Sequence, residues 1–304
     1  SAGQAPVSLY ERTIDISARP ADRRWFDFGR DLSALSGRSG ILRFETTLDR
    51  TDGAPGTIAL WAPPEIADCG GAESPSLLLI TIDALRADHL GSAGYTRPTS
   101  PYLDRFATTG TRFSAAFSAG PKTIPSIPQI LTGSYFFRHR ETRGLDPLLG
   151  PGRLERNRAV VNNPYVASWL ASERPGFAAL VAGDLDARAI TSNALRWLTA
   201  TGRCRTALYL HYLDTHTPYH APPRFARRFI DRTTMTAVGL TFDDVAGARR
   251  GQYGPADRHR IADLYDGSIA WTDRQLGRLL RSLARRGLAA RTIVVVSADH
   301  GEEL

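Results

Sequence analysis

The chain is short of the features that would assign a class at a glance. It holds two cysteines, Cys69 and Cys204, in 304 residues. They show no CxxC spacing, which argues against a structural zinc knot or a dithiol redox motif. A single Cys69–Cys204 disulfide stays open. No run approaches the roughly 18 apolar residues that a membrane-spanning helix needs. The opening Ser-Ala-Gly-Gln-Ala-Pro has none of the shape of a signal peptide. The chain starts without Met and stops soon after Asp299-His300-Gly301, so both ends read as cut. There is no internal repeat. No nucleic-acid-binding module or basic–aromatic cluster appears, so no nucleic-acid partner is expected, even with a net charge of +7. Arginine supplies nearly all the cations. The excess reads first as a solvated Arg-rich surface and second as attraction to anionic substrates or membrane surfaces.

What is present is ordinary for a globular protein: 42% hydrophobic and 23% charged residues, with enough length for a sizeable core and more than one domain. Residues 1–70 read as a small β-sandwich-like domain. Ser8–Ile16, Ile41–Thr47 and Thr57–Trp61 alternate as strands, separated by Gly, Pro, Asp and Ser clusters. Trp25, Phe26, Phe28 and Trp61 form the core of such a domain or, less expectedly, a sugar-binding face. The Pro/Gly-rich Ala62–Pro75 is the linker.

From residue 76 the pattern changes to apolar runs alternating with helical periodicity, which predicts an α/β domain over 76–304. Ser76–Ile82 is a buried strand that stops on Asp83, and Arg291–Ser297 is another, followed by Ala298-Asp-His-Gly-Glu-Glu303. A third, Thr206–Leu213, ends in Asp214-Thr-His-Thr-Pro-Tyr219. Open α/β sheets carry their chemistry where strands end. Pro121–Gly133 brings the hydroxyl of Thr123 on a loop leading into a short helix. Thr111–Ser118 alternates as a strand with Phe113 and Phe117 on one face. Ser100, Pro101 and Gly110 punctuate a helix between them, with Ser100 as its cap. Asp186–Ala200 and Asp257–Gly287 have helical periodicity, the latter with Arg274, Arg278, Arg281 and Arg285 outward. Arg158–Asn162 is a short strand, and 138–157 an exposed excursion. Each polar residue alone has a plain structural reading: Asp83 as a cap, Thr123 as a cap, His300 as a buried hydrogen-bonded histidine. Together, two strand ends carrying Asp83 and Asp299-His300 and a loop hydroxyl at Thr123 suggest a metal beside a nucleophile.

The same residues, in order, resemble the sulfatase family of the alkaline phosphatase superfamily. The resemblance rests on Ile82-Asp-Ala-Leu-Arg-Ala-Asp-His-Leu-Gly91, Thr99-Ser-Pro-Tyr-Leu-Asp104, Thr123-Ile-Pro-Ser126 with Leu131-Thr-Gly133, Tyr209–Tyr219, Tyr265-Asp266 with Asp273-Arg-Gln-Leu-Gly277, and Val295–Glu302. It covers 76–304 and not 1–70. It implies an alkaline-phosphatase-like mixed or parallel sheet with helices on both faces. It also implies metal ligands at Asp83, Asp299 and His300, with Asp214 among the candidates. Thr123 matches the nucleophile. His216 matches a catalytic position, as a substrate hydrogen-bond donor or as a ligand of a second metal. The implied cofactor is a divalent cation, zinc, manganese or calcium. The implied substrate is a sulfate or phosphate ester, possibly on a glycan or lipid, and the implied setting is the bacterial envelope or an extracytoplasmic space.

Two departures matter. Sulfatases convert Cys or Ser in Cys/Ser-x-Pro-x-Arg to formylglycine, whereas here Thr123 holds that position and Ile127 replaces the Arg. Asp83 is followed by Ala84 in place of a second Asp. The first leans toward phosphorus esters and the second toward zinc or manganese. The alternative from another class is an inactive sulfatase-like binding or scaffold protein. The oligomeric state is not legible.

Overall fold

The structure is a computed structural model. It describes residues 6–15, 18–22, 26–47, 61, 75–135, 157–173, 177–202, 204–219, 221–230, 241, 243, 252 and 254–303. The chain divides into two compact units, Ser1–Asp68 and Cys69–Leu304.

The first unit differs from expectation. Its described residues form two short 3-10 turns, Pro20–Asp22 and Ser33–Leu35, and no strand. Ser8–Asp15 and Ile41–Thr47 alternate but stay irregular. The physical reason is that alternation makes a strand only when a neighbour pairs its backbone and a second layer covers its apolar face. Here Ile41 is 96% and Val7 72% exposed. Local contacts hold what order there is: Tyr10 against Phe28 at 4.2 Å between ring centres, and Arg12 over Phe26 at 3.7 Å. Trp25 and most of the expected strand Thr57–Trp61 lie outside the described residues.

The second unit is built on five strands: β1 (Ser76–Ile82), β2 (Asn157–Val161), β3 (Ala179–Ala182), β4 (Ala207–Tyr212) and β5 (Thr292–Ala298). Their order is β3-β2-β4-β1-β5, and every pairing is parallel. Strands buried on both faces read as continuous apolar runs, and β1 and β4 do. β5 is an edge strand and accordingly alternates between half-buried and exposed positions. β3 was not expected from the sequence; four residues give too short a run to read.

Helices cover both faces. α1 is Pro101–Ala107, α2 Thr123–Thr132, α3 Pro164–Glu173, α4 Ala187–Thr201, α5 Pro223–Ala226 and α6 Pro255–Arg285. Leu78, Ile80 and Ile82 of β1 join one core with Ile190 and Ala194 of α4 and Leu276 and Leu279 of α6. Leu79 and Tyr209 join the opposite core with Ile127 and Leu131 of α2 and Val166 and Leu170 of α3. Each such aliphatic side chain contributes about 1.5–3 kcal/mol by leaving water.

The helix ends are set by side chains. Asp186 caps α4 by accepting the Ala189 N–H at 2.8 Å. Asp257 accepts the Gly254 N–H at the start of α6 at 3.2 Å. At α1 the expected Ser100 cap is replaced. Ser100 Oγ turns to Asp104, and Asp273 of α6 accepts the N–H groups of Tyr102 and Leu103 at 3.1 and 2.8 Å. The expected strand Thr111–Ser118 is an irregular loop with Phe113 78% and Phe117 91% exposed, because no neighbouring strand edge receives it. No helix among the described residues is long and apolar enough to cross a membrane.

Candidate active site and metal centre

The centre lies where β1 and β5 end side by side. Ile82 is registered with Ala298, so the next residues, Asp83 and Asp299, emerge together. Ala84 then adopts φ +56°, a conformation uncommon for a residue with a Cβ. That turn directs its N–H to Asp299 Oδ1 at 3.2 Å. Tyr265 of α6 braces the turn: its hydroxyl donates to the Ala84 carbonyl at 2.7 Å and accepts the Arg86 N–H at 2.8 Å.

Asp83, Asp299 and His300 offer ligand atoms that all lie within 4.8 Å of one another. His300 Nε2 is 3.4 Å from Asp83 Oδ1 and 3.6 Å from Asp299 Oδ2. Those two carboxylate oxygens are buried and have no hydrogen-bond partner. Buried carboxylate oxygens without a donor are costly, and a cation between them removes the cost. The donor set, two oxygens and an imidazole nitrogen, therefore fits a divalent metal. Such a metal would be held by Asp83, Asp299 and His300.

The electrostatics agree. Burial alone would push the Asp83 carboxyl up; hydrogen bonds from His211 and His300 outweigh it and hold the group well below the usual carboxylate range. Burial and the neighbouring Asp83 charge push Asp299 up. Burial works against the charged imidazole of His300, but the Asp83 hydrogen bond and the Asp299 charge raise it to about 9.

Thr123 opens α2. Its Oγ1 lies 3.1 Å from His300 Nε2 and 3.3 Å from Asp83 Oδ2. At the N-terminus of a ten-residue helix it also sits where the dipole favours negative charge. Ser118 in the preceding loop donates to the Asp299 carbonyl at 2.6 Å, tying that loop to the site.

The loop after β4 separates two expected residues. The His216 ring is 6.3 Å from the His300 ring, edge to face, and its Nδ1 meets the Thr217 carbonyl at 2.6 Å. Asp214 is outside the ligand cluster. Its Oδ1 accepts the Ala187 N–H at the start of α4 and the Trp271 indole N–H, both at 3.0 Å. Burial raises its carboxyl to about 6. Asp214 thus ties α4 to α6 and lies outside the Asp83, Asp299 and His300 cluster.

Two residues of the site were not foreseen. Asn163 Nδ2 donates to Asp83 Oδ2 at 2.8 Å, and His211 Nε2 lies 3.1 Å from the same oxygen. The signal for His211 is its polarity in the middle of the apolar strand Thr206–Leu213. It sits opposite Thr81 in the register, another polar residue in an apolar strand. Asn163 has no comparable signal.

With this geometry in hand, the comparisons agree on a class. The model of the family described as Sulfatase matches residues 75–157 and 152–304, and the chain belongs to that family. An arylsulfatase of Clostridium perfringens is 42% identical over 59 residues, 19% of this chain and 12% of that protein. Among solved structures, the phosphonate monoester hydrolase of Agrobacterium radiobacter superposes with a TM-score of 0.57 at 19% identity, covering 75% of this chain and 63% of that one. The C-terminal periplasmic domain of EcEptC from Escherichia coli, in a complex with Zn, gives 0.56 at 18%, covering 77% and 65%. The chain thus spans under two thirds of each of these proteins, and the structural likeness carries the fold: an α/β, alkaline-phosphatase-like parallel sheet with helices on both faces.

Proposed function

We propose that the chain carries the metal-dependent centre of an ester hydrolase or group transferase, with Thr123 as nucleophile. The observation that carries this reading is the convergence of the Thr123 hydroxyl on His300 and on Asp83, whose Oδ1, like Asp299 Oδ2, is buried without a hydrogen-bond partner. A bound zinc, manganese or calcium ion would supply positive charge to the transferred group and lower the pKa of an adjacent hydroxyl. The chain's own residues do the rest. Thr123 Oγ1 releases its proton to solvent and forms a bond to phosphorus or sulfur as the bond to the leaving alkoxide breaks, and that alkoxide departs with a proton. His216 is the candidate to donate it. Water or an acceptor alcohol then breaks the Thr123 ester and restores the hydroxyl.

Phosphate or phosphonate esters suit the site better than sulfate esters. Thr123 cannot become formylglycine. Ile127, where sulfatases carry an arginine, is 1% exposed among Leu131, Val161 and Val166, so no cation replaces it there. We read the organic part as a glycan or lipid and the setting as extracytoplasmic; the periplasmic domains among the similar structures support that setting.

The test is turnover of matched 4-nitrophenyl phosphate, phenylphosphonate and sulfate esters with added zinc, manganese or calcium. Phosphorus-ester cleavage that is lost in Thr123→Ala, with metal binding retained, supports the reading. Unchanged turnover in Thr123→Ala overturns the nucleophile. Preferential sulfate cleavage overturns the phosphorus preference.

A further inference from the structure

We propose that Asn163 and His211 are positioning residues that set the metal preference of this centre, favouring Zn²⁺ over Ca²⁺, by occupying one oxygen of Asp83. The inference rests on the metal-centre reading above.

Both carboxylates of the cluster are divided in the same way. Asp299 Oδ1 accepts two backbone N–H groups, from Ala84 at 3.2 Å and from His300 at 2.9 Å. Asp83 Oδ2 meets Asn163 Nδ2 at 2.8 Å, His211 Nε2 at 3.1 Å and Thr123 Oγ1 at 3.3 Å. The other two oxygens, Asp83 Oδ1 and Asp299 Oδ2, have no hydrogen-bond partner and face His300 Nε2 at 3.4 and 3.6 Å. Each carboxylate therefore has one oxygen to give. Calcium takes six to eight oxygens and often binds a carboxylate through both. Zinc is satisfied by four ligands of mixed nitrogen and oxygen type. Two single oxygens and the His300 nitrogen would make the three protein ligands of a zinc site whose fourth position is left for water or substrate.

Neither donor can turn away. His211 is fully buried. Its Nδ1 lies 2.7 Å from Thr81 Oγ1, which in turn meets the Tyr209 hydroxyl at 2.9 Å. With Thr81 donating to Nδ1, the ring carries its proton on Nε2 and donates it to Asp83. Asn163 is fixed by its other end. Its Oδ1 accepts the N–H groups of Tyr165 and Val166, at 2.9 and 3.3 Å, in the first turn of α3. That assigns the amide's orientation and leaves Nδ2 facing Asp83. Capping α3 and holding Asp83 are two jobs of one side chain, and they separate by mutation. Serine caps a helix as well as asparagine does but is too short to reach Asp83.

The experiment is calorimetric titration of the metal-free chain with Zn²⁺ and, separately, Ca²⁺, with the unfolding temperature followed in parallel. Asn163→Ser and His211→Leu should each weaken Zn²⁺ binding about 10–100-fold, the usual effect of losing a partner of a metal ligand. Ca²⁺ binding should hold or tighten, so the ratio of the two affinities falls at least about tenfold. His211→Gln, which keeps an N–H donor, should recover most of the loss. Equal weakening of both metals, or an unchanged ratio, overturns the inference while leaving the metal centre in place. A wild-type chain that binds neither metal overturns the metal-centre reading and this inference with it.

Discussion

The backbone N–H of Ala84 donates to Asp299 Oδ1 at 3.2 Å, joining residues 215 positions apart in the sequence. The donor points that way because Ala84 has φ +56° and is fully buried. A left-handed residue directly after one metal-ligand candidate is what fixes the other. Strain of this kind persists only where the surroundings hold it, here the Tyr265 hydroxyl on the Ala84 carbonyl.

Ala84→Gly should therefore leave stability within about 1 kcal/mol of wild type, since glycine accepts positive φ freely but loses more entropy on folding. Ala84→Val should cost more than about 2 kcal/mol, because a β-branched side chain combines positive φ with a buried site. Thermal unfolding of the two variants checks this; equal losses would show that the turn is unstrained.

His300 gives the centre opposite pH trends with and without metal. Its imidazole is raised from 6.5 to about 9, against burial, by the Asp83 hydrogen bond and the Asp299 charge. In the metal-free chain that pairing stabilises the fold fully below about pH 6.5 and is lost as pH rises through about 9. A metal needs the neutral ring, so its binding releases a proton and tightens with rising pH by up to about tenfold per unit below that value. Titrations at pH 7, 8 and 9 should show affinity rising while the metal-free unfolding temperature declines. Metal affinity that is flat over this range would remove His300 from the ligands.

Asp214→Asn should keep metal affinity within about threefold of wild type. The asparagine carbonyl can still accept from Ala187 and Trp271, as Asp214 Oδ1 does. Because burial raises the carboxyl to about 6, its charge costs stability above that pH and costs none below about 3.8. The variant should thus match or exceed wild-type stability at pH 8 and lose that advantage near pH 4. A tenfold drop in metal affinity would return Asp214 to the ligand set.

Gly277→Ala should destabilise in spite of alanine's better helix propensity, worth about 1 kcal/mol. A Cβ at Gly277 would stand 2.4–2.7 Å from the Tyr102 ring carbons. Overpacking of this kind costs about 1–3 kcal/mol. A Tyr102→Ala background should remove most of the penalty; a double-mutant cycle with no coupling would show that α1 gives way instead.

The sequence made the second unit's sheet legible because β1, β4 and β5 are long apolar runs that end in polar clusters. Asp83, Thr123, Asp299 and His300, expected together from their order along the chain, are brought within reach of one another by the fold. Asp214 lies apart from that cluster, because a motif fixes the order of residues along the chain but not which of them meet in space. Asn163 was invisible: an asparagine before a proline looks like any turn, and its partner is 80 positions away. The described residues of the expected strands at Ser8–Ile16, Ile41–Thr47 and Thr111–Ser118 are irregular. Alternation records a preference for an exposed and a covered face, while a strand also needs a neighbour's backbone.

The sheet order β3-β2-β4-β1-β5 also constrains how the protein reaches its folded state. Strand β1 pairs with β4 and β5, whose registers join Leu77 to Ala207 and Ser76 to Thr292. Closing loops of this length costs chain entropy before any strand pairing offsets it, so assembly is expected to be slow. Asp83 and Asp299 lie far apart along the chain, and the pairing of β5 with β1 is the step that brings these two candidate ligands together.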